Sequence, residues 1–509
     1  MTLTSDNSFE PLFGQKTPFY NTAVRSSLLI LIAKTIRYAF VFLSQLILMN
    51  FLNPADFGLM RFVTIVLGIA NLISEAGLGV AIVQKKSLRP EEIASSFFLI
   101  VILSLGLYGA IFISAPSIAL FFKNEKLIDL VRIGGLSAPI GGISIVQRGL
   151  MQRRFQYGKL SLIETISAVS GSIAGILLGY FGFGVWALIG GGLIYNCLST
   201  VLSILIGGWT KGDFKDFKSS VALWLFGLGM VIQRIIDYGT SNLDYIVVGK
   251  FFGETALGIY GMAFVVITLP QLALGVVLAN VALSAFSRFQ EDDERLSSAF
   301  IRLTRVTTAL SVPYFVLVFS LAPDIMHAIA FIHPSGKWAP AAPLLKILAP
   351  MGLIYCLNSY PGIVWIAKGM TRFRINWALF FFFAFAIAVV LGSFYGVSGI
   401  CKALLIRALA LFPISLMLNK RTFGLSPVSY LKAIAPSVCC GLVAFIVLQG
   451  FGLVGIFKTG NHMYIKIVCE SILCLATYAG MLRVVSKDAY KELRSVIGEI
   501  VIKDKRHNF

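Results

Sequence analysis

The stretch Ser27–Met60, SLLILIAKTIRYAFVFLSQLILMNFLNPADFGLM, decides the fold. Up to Phe51 it is an apolar run interrupted by only two charges, Lys34 and Arg37. Some 20 such residues wound as a helix cross a hydrocarbon core of about 30 Å. Asn53, Pro54 and Asp56 then supply a turn, and a new apolar run begins. A chain that turns within four residues and at once re-enters an apolar run is crossing a membrane repeatedly.

Working outward, runs of this length recur to Arg483, and the spans are expected near 27–51, 59–83, 93–115, 127–147, 160–181, 184–206, 222–248, 257–283, 303–322, 342–366, 376–396, 398–418, 432–454 and 464–484. Only 13% of the 509 residues are charged, against 57% apolar, and mean hydropathy is +0.85. A soluble domain carries roughly 25% charged residues, so water is not this chain's main solvent. The sequence predicts an all-α membrane protein of about fourteen helices. No stretch outside the spans is long enough for a catalytic domain. The polar first 26 residues lack the short apolar core and A-x-A-like site of a cleaved signal peptide.

The net charge of +19 would suggest nucleic acid in a soluble protein; here sidedness explains it. Alternate connections are rich in Lys and Arg, as at Lys85, Lys86 and Arg89, at Arg148, Arg153, Arg154 and Lys159, and from Arg483 to Arg506. The intervening ones hold only Lys123, Lys126, Lys250, Lys337, Lys458 and Lys466. By the positive-inside rule, both termini are expected in the cytoplasm, which requires an even number of spans.

The chain also repeats itself. FLNPADFGLM (Phe51–Met60) is similar to FFGETALGIY (Phe251–Tyr260); Ala115-Pro116 matches Ala322-Pro323; Ala138-Pro139 matches Ala349-Pro350; and RRFQYGKL (Arg153–Leu160) is similar to TRFRINWAL (Thr371–Leu379). Together they argue for duplication of a six-span unit. Because six is even, both halves insert the same way up and are expected to flank a central cavity. The organisation expected is a cytoplasmic segment 1–26, a first half 27–206, a linker 207–221, a second half 222–418, two added helices within 432–484 and a basic cytoplasmic tail 485–509 that reads as a helix against anionic headgroups.

The turn N-P-A-D-F-G-L (Asn53–Leu59), G-L-G-x-A-I-V-Q-K (Gly77–Lys85), R-R-F-x-Y-G-K with the later I-E-T (Ile163–Thr165), NLDYIVVGKFFG (Asn242–Gly253) and AFSRFQEDD (Ala285–Asp293) together resemble the Wzx-type polysaccharide flippases of the multidrug/oligosaccharidyl-lipid/polysaccharide exporter superfamily. The resemblance covers roughly residues 25–480. It implies a lipid-linked oligosaccharide substrate, an undecaprenyl diphosphate, moved from the cytoplasmic to the periplasmic leaflet of the bacterial inner membrane. It further implies alternating access without ATP, driven by a cation gradient, with a polysaccharide polymerase among the partners. No cofactor and no nucleic acid is expected.

A sugar headgroup and a diphosphate need a hydrated, cationic path. Cations expected inside spans are Lys34, Arg37, Arg61, Arg132, Arg234, Lys346, Lys402 and Arg407. They outnumber the acids Glu75, Glu164, Asp237, Asp244 and Glu470. Cations at such depth face a cavity or a partner. Under the repeat, Lys34 falls on Arg234 and Arg37 on Asp237, so Lys34 with Arg37, and Arg234 with Asp237, each share one face of a helix at i, i+3. The substrate-binding candidates are Lys34, Arg37, Arg61, Arg234, Lys402 and Arg407, the last suited to bidentate phosphate pairing. The alternative reading is ion pairing that only holds the bundle, or, for Arg61, Arg132 and Lys346, snorkelling at span ends. Glu75, Asp237 and Asp244 are candidates for coupling to a cation. Glu75 is equally a partner for Arg37, and Glu164 reads as a loop anchor. The seven cysteines and four histidines form no metal or nucleophile spacing.

Two other readings remain. A multidrug exporter of the same superfamily would be favoured by an anionic cavity. A membrane-embedded polysaccharide polymerase or ligase would need a large outer loop, and the longest outer connection, Ala322–Ala341, is short.

Overall fold

The structure, a computed structural model, describes residues 34, 37–85, 89–208, 221, 224, 231–329, 336–454, 463–486 and 489–492. The segment 1–26, most of the linker 207–221 and most of the basic tail 485–509 lie outside the described residues. Within them the fold is helical throughout.

The first half comprises α1 (Arg37–Phe51), α2 (Pro54–Gln84), α3 (Pro90–Phe122), the short α4 (Leu127–Gly135), α5 (Ser137–Gly142) and α6 (Ile145–Arg153), and the hairpin α7 (Tyr157–Tyr180) and α8 (Val185–Gly207). Pro54 opens α2 at a position where a missing N–H costs nothing, and the Asp56 carboxylate accepts the Asn53 N–H at 2.9 Å. A single span is expected over 127–147, but α4–α6 form a path bent by 42°. Gly134, Gly135, Gly141 and Gly142 weaken the helix there, and Pro139 lacks an N–H.

The second half starts with α9 (Val231–Arg288), which breaks at Gly253, where φ is +82°. Only glycine reaches that conformation without strain. It continues with α10 (Asp293–Ser320), α11 (Ala322–Ile329), α12 (Ala341–Leu357), α13 (Pro361–Ala367), and the hairpin α14 (Thr371–Ser393) and α15 (Gly396–Phe423). The added helices α16 (Pro427–Val454) and α17 (Met463–Val485) pack on each other and on α10. Lys466 on α17 holds both Asp324 carboxylate oxygens on α11, at 3.0 and 3.1 Å. The Ala115-Pro116 and Ala322-Pro323 motifs differ in conformation: Pro116 lies inside α3, while Pro323 follows a break and opens α11.

Among the described residues, eleven helices are long and apolar enough to cross a membrane, or twelve with the bent α4–α6 path. A count of fourteen also needs α1, which is short as described, and two crossings in α9 on either side of Gly253.

The halves meet where α2 crosses the second arm of α9. A Cβ on Gly58 would lie 1.8 Å from the Glu254 carbonyl oxygen, and one on Gly258 1.8 Å from the Pro54 carbonyl oxygen. The contact is reciprocal: each glycine meets the residue four places before the other, as a two-fold axis between the halves requires. Around it the Trp338 indole N–H donates to the Met49 carbonyl at 3.1 Å, Lys337 donates to the Asn50 carbonyl at 3.2 Å, and the Asn50 amide donates to the Ile329 carbonyl at 3.3 Å. Phe57 stands edge-on to Trp338 at 5.3 Å. Burial pushes the Lys337 ammonium pKa below its ordinary value, and Asp56 partly opposes that. The molecule is therefore closed at the end where α1 joins α2.

Gly258→Val must push the two backbones apart, and overpacking of this kind costs about 1–3 kcal/mol. Its melting temperature in detergent is expected to fall. Gly106→Val on α3, where a Cβ meets nothing within 4 Å, is expected to melt close to the parent.

Candidate functional site

Below the glycine crossing, a cavity of about 670 Å³ runs between α1, α2, α7, α8 and the second arm of α9. Small residues make room for it: Gly171, Gly175, Gly191, Gly192, Gly258 and Gly261 all line its wall. Its polar groups are Arg37, Tyr38, Ser44, Gln45, Arg61, Thr64, Glu164, Ser172 and Tyr195. A second, more polar cavity of about 320 Å³ lies between α2, α5, α6 and α8, with Asn71, Ser137, Arg148, Gln152, Asn196 and Arg234 on its lining.

One carboxylate joins the two. Glu164, on the second turn of α7, accepts from the Arg37 guanidinium of α1 and, at 3.0 Å, from Arg148 Nη2 of α6. α7 can place it there because the chain reverses tightly after α6. Phe155 adopts φ +55°, and the Gln156 N–H returns to the Met151 carbonyl at 2.9 Å. Arg37 also lies 5.0 Å from the Tyr38 ring centroid.

Arg61, on α2, reaches across to the second half, its guanidinium 3.7 Å above the Tyr245 ring on α9. Beside it Asp244 is buried, with 2% exposure. One of its oxygens accepts from the Tyr260 hydroxyl at 2.8 Å, and the other has no side-chain hydrogen-bond partner among the described residues. Tyr355 and Arg407 continue this cluster on α12 and α15. Arg407 donates to the Tyr355 hydroxyl and, at 3.4 Å, to the Phe381 carbonyl, with its guanidinium 4.2 and 4.9 Å from the Phe381 and Phe385 rings.

Of the sequence candidates, Arg37 and Arg61 line the larger cavity and Arg234 the smaller. The single shared void expected for Lys34, Arg37 and Arg234 is two cavities parted by Glu164 and Arg148, and half-buried Lys34 lines neither. Arg407, 6% exposed, and exposed Lys402 also lie outside both cavities. Asp237 is exposed. Glu75 is in α2, but its side chain is outside the described residues. Arg37 pairs with Glu164 across α1 and α7, so Glu164 does more than anchor a loop. Arg61 covers an aromatic ring, whereas snorkelling was the competing expectation. Arg148 reads in sequence as one more cytoplasmic loop charge; nothing local marks it as a cavity residue, because its partner lies on the next helix.

The two helical halves pack around a cavity, and this arrangement defines the fold class. Two solved structures share the fold. One is described as lipid II flippase MurJ in an inward closed conformation, with a TM-score of 0.71 at 16% identity over 90% of this chain and 99% of that one. The other is a multidrug resistance MATE family transporter in an inward-facing conformation, with a TM-score of 0.62 at 15% identity over 75% of this chain and 94% of that one. The sequence then narrows the class: residues 47–343 match the family described as polysaccharide biosynthesis protein, and the chain belongs to that family. Similar curated proteins include teichuronic acid biosynthesis protein TuaB of Bacillus subtilis (24% identical over 60% of this chain), lipopolysaccharide biosynthesis protein WzxC of Escherichia coli (23% over 68%) and succinoglycan biosynthesis transport protein ExoT of Rhizobium meliloti (25% over 72%). The chain spans 63% of the length of TuaB, 70% of WzxC and 73% of ExoT.

In a background without native cysteines, Thr64→Cys and Arg234→Cys are expected to react with a water-soluble maleimide. Arg407→Cys is expected to stay unlabelled under the same conditions. Labelling of all three at one rate would contradict the placement of Arg407.

Proposed function

We propose that the protein carries a lipid-linked oligosaccharide, anchored on undecaprenyl diphosphate, from the cytoplasmic to the periplasmic leaflet of a bacterial inner membrane. The observation that carries this reading is the charge of the cavities. Among the described lining residues stand Arg37, Arg61, Arg148 and Arg234, with Glu164 the one carboxylate. Such a wall suits a diphosphate, whose oxygens pair with guanidinium groups in a planar, bidentate manner. It would repel the cationic drugs that an anionic cavity attracts. The polar lining of Gln45, Ser172, Gln152 and Asn196 offers hydrogen bonds to sugar hydroxyls, each of which costs several kcal/mol if buried unpaired.

The basic connections fall on the cytoplasmic side by the positive-inside rule. That puts both termini in the cytoplasm and the Gly58–Gly258 closure at the periplasmic end, with substrate entering from below. Rocking of the halves about the cavity would then expose it to the other face. Asp244 is our candidate for cation coupling. It is a buried carboxylate with one oxygen that has no side-chain hydrogen-bond partner among the described residues, and through Tyr245 it adjoins Arg61, which lines the larger cavity. A polysaccharide polymerase that consumes the flipped unit is the partner this chemistry calls for.

Charge-assisted hydrogen bonds contribute about 1.5–3 kcal/mol each. Cells relying on the Arg37→Ala, Arg234→Ala double variant are therefore expected to make surface polysaccharide at least about tenfold more slowly, with the protein present in the membrane at parental amounts. Undiminished polysaccharide together with lost tolerance of cationic drugs would favour the exporter reading instead.

A further inference from the structure

Glu164 sits where a substrate anion would be wanted. Its carboxylate draws together guanidinium groups from two separate helices, Arg37 of α1 and Arg148 of α6. It stands at the boundary of the two cavities, since Arg37 and Glu164 line the larger and Arg148 the smaller. Its side chain retains 22% exposure, so the pair is neither sealed in the protein nor open to bulk water.

A carboxylate and a phosphate present oxygens of similar spacing to a guanidinium fork. What holds one can hold the other. We infer that Glu164 is a built-in counter-anion. It occupies the phosphate position in the empty carrier, and a substrate phosphate displaces it from Arg37 and Arg148. This rests on the proposed anionic lipid-linked substrate and goes beyond it by assigning a competing role to an acid inside a cationic site.

The physical need follows from alternating access. A carrier that has released its substrate must return with the site empty. Two arginines left unpaired in a closing, partly dehydrated cavity would resist that return, since an uncompensated buried charge is strongly unfavourable. With Glu164 in place the empty site keeps its charges answered. When a diphosphate arrives it brings more negative charge than one carboxylate, so the arginines exchange partners and Glu164 swings into the hydrated space of the larger cavity. No bond is made or broken, and no proton need move. Binding is thereby weakened and return is speeded, two effects that a merely structural ion pair would not produce together.

The test uses the full chain purified in detergent, with inorganic pyrophosphate as the probe and heat of binding as the readout. Glu164→Gln removes the competitor while keeping the shape, and is expected to bind pyrophosphate at least about threefold tighter than the parent. Glu164→Asp, too short to span both arginines, is expected to shift in the same direction. It guards against a folding defect in the first variant, with melting temperatures recorded for both. Arg148→Ala is expected to weaken binding. In cells, Glu164→Gln is expected to slow polysaccharide output despite its tighter binding. Equal or weaker pyrophosphate binding by both Glu164 variants would overturn the displacement while leaving the anionic substrate intact. Absence of pyrophosphate binding by parent and variants alike would overturn the substrate reading and this inference with it.

Discussion

Hydrocarbon offers no hydrogen bonds, and that constraint organises what this chain does with its few charges. Four of the cations placed at depth are answered in one of three ways. Arg37 is paired with a carboxylate, Arg61 and Arg407 are covered by aromatic rings, and Arg234 faces a cavity. The helices around them are apolar and similar in chemistry, so these cations and Asp244 carry most of the chemical character of the bundle interior. The glycines on α7, α8 and α9 serve the same end, since they clear the space into which the arginines project.

The two halves share an ancestry of shape but divide the work. The first half supplies most of the cavity wall and the Arg37–Glu164–Arg148 group. The second holds Asp244, Tyr260, Tyr355 and Arg407 in a drier cluster away from the cavities. Arg61 is the bridge between them: it belongs to α2, lines the larger cavity and rests on a ring of α9. A change at Asp244 therefore has a short route of touching side chains to the cavity, through Tyr245 and one guanidinium.

Much of the fold is legible in the sequence alone. Apolar run length gave the helices, and the likeness of Phe51–Met60 to Phe251–Tyr260 gave the register of the repeat, which reappears in space as the Gly58 and Gly258 crossing. The bend in α4–α6 is not legible there, because Gly134, Gly141 and Gly142 extend the apolar run as ordinary apolar residues would. The site was legible in residue type more than in pairing. Arg37 and Arg234 announce themselves by their depth in apolar runs. Glu164 is separated from Arg37 by 127 positions, and no local pattern reports a contact made by tertiary packing. Arg407 shows the converse: depth in a span marks a cation as unusual but does not distinguish a cavity from an aromatic cage.

The meeting of α2 and α9 at Gly58 and Gly258 is backbone laid against backbone. Interdigitated helices separate only when knobs withdraw from holes and rotamers are reset. At this crossing there is no knob on either side, and parting the two glycine surfaces requires no rotamer to be reset there. Among the described glycines this is the closest approach of backbone to backbone, and the side chains that ring it, Trp338 and Lys337 with Asn50, tie the two surfaces together by hydrogen bonds.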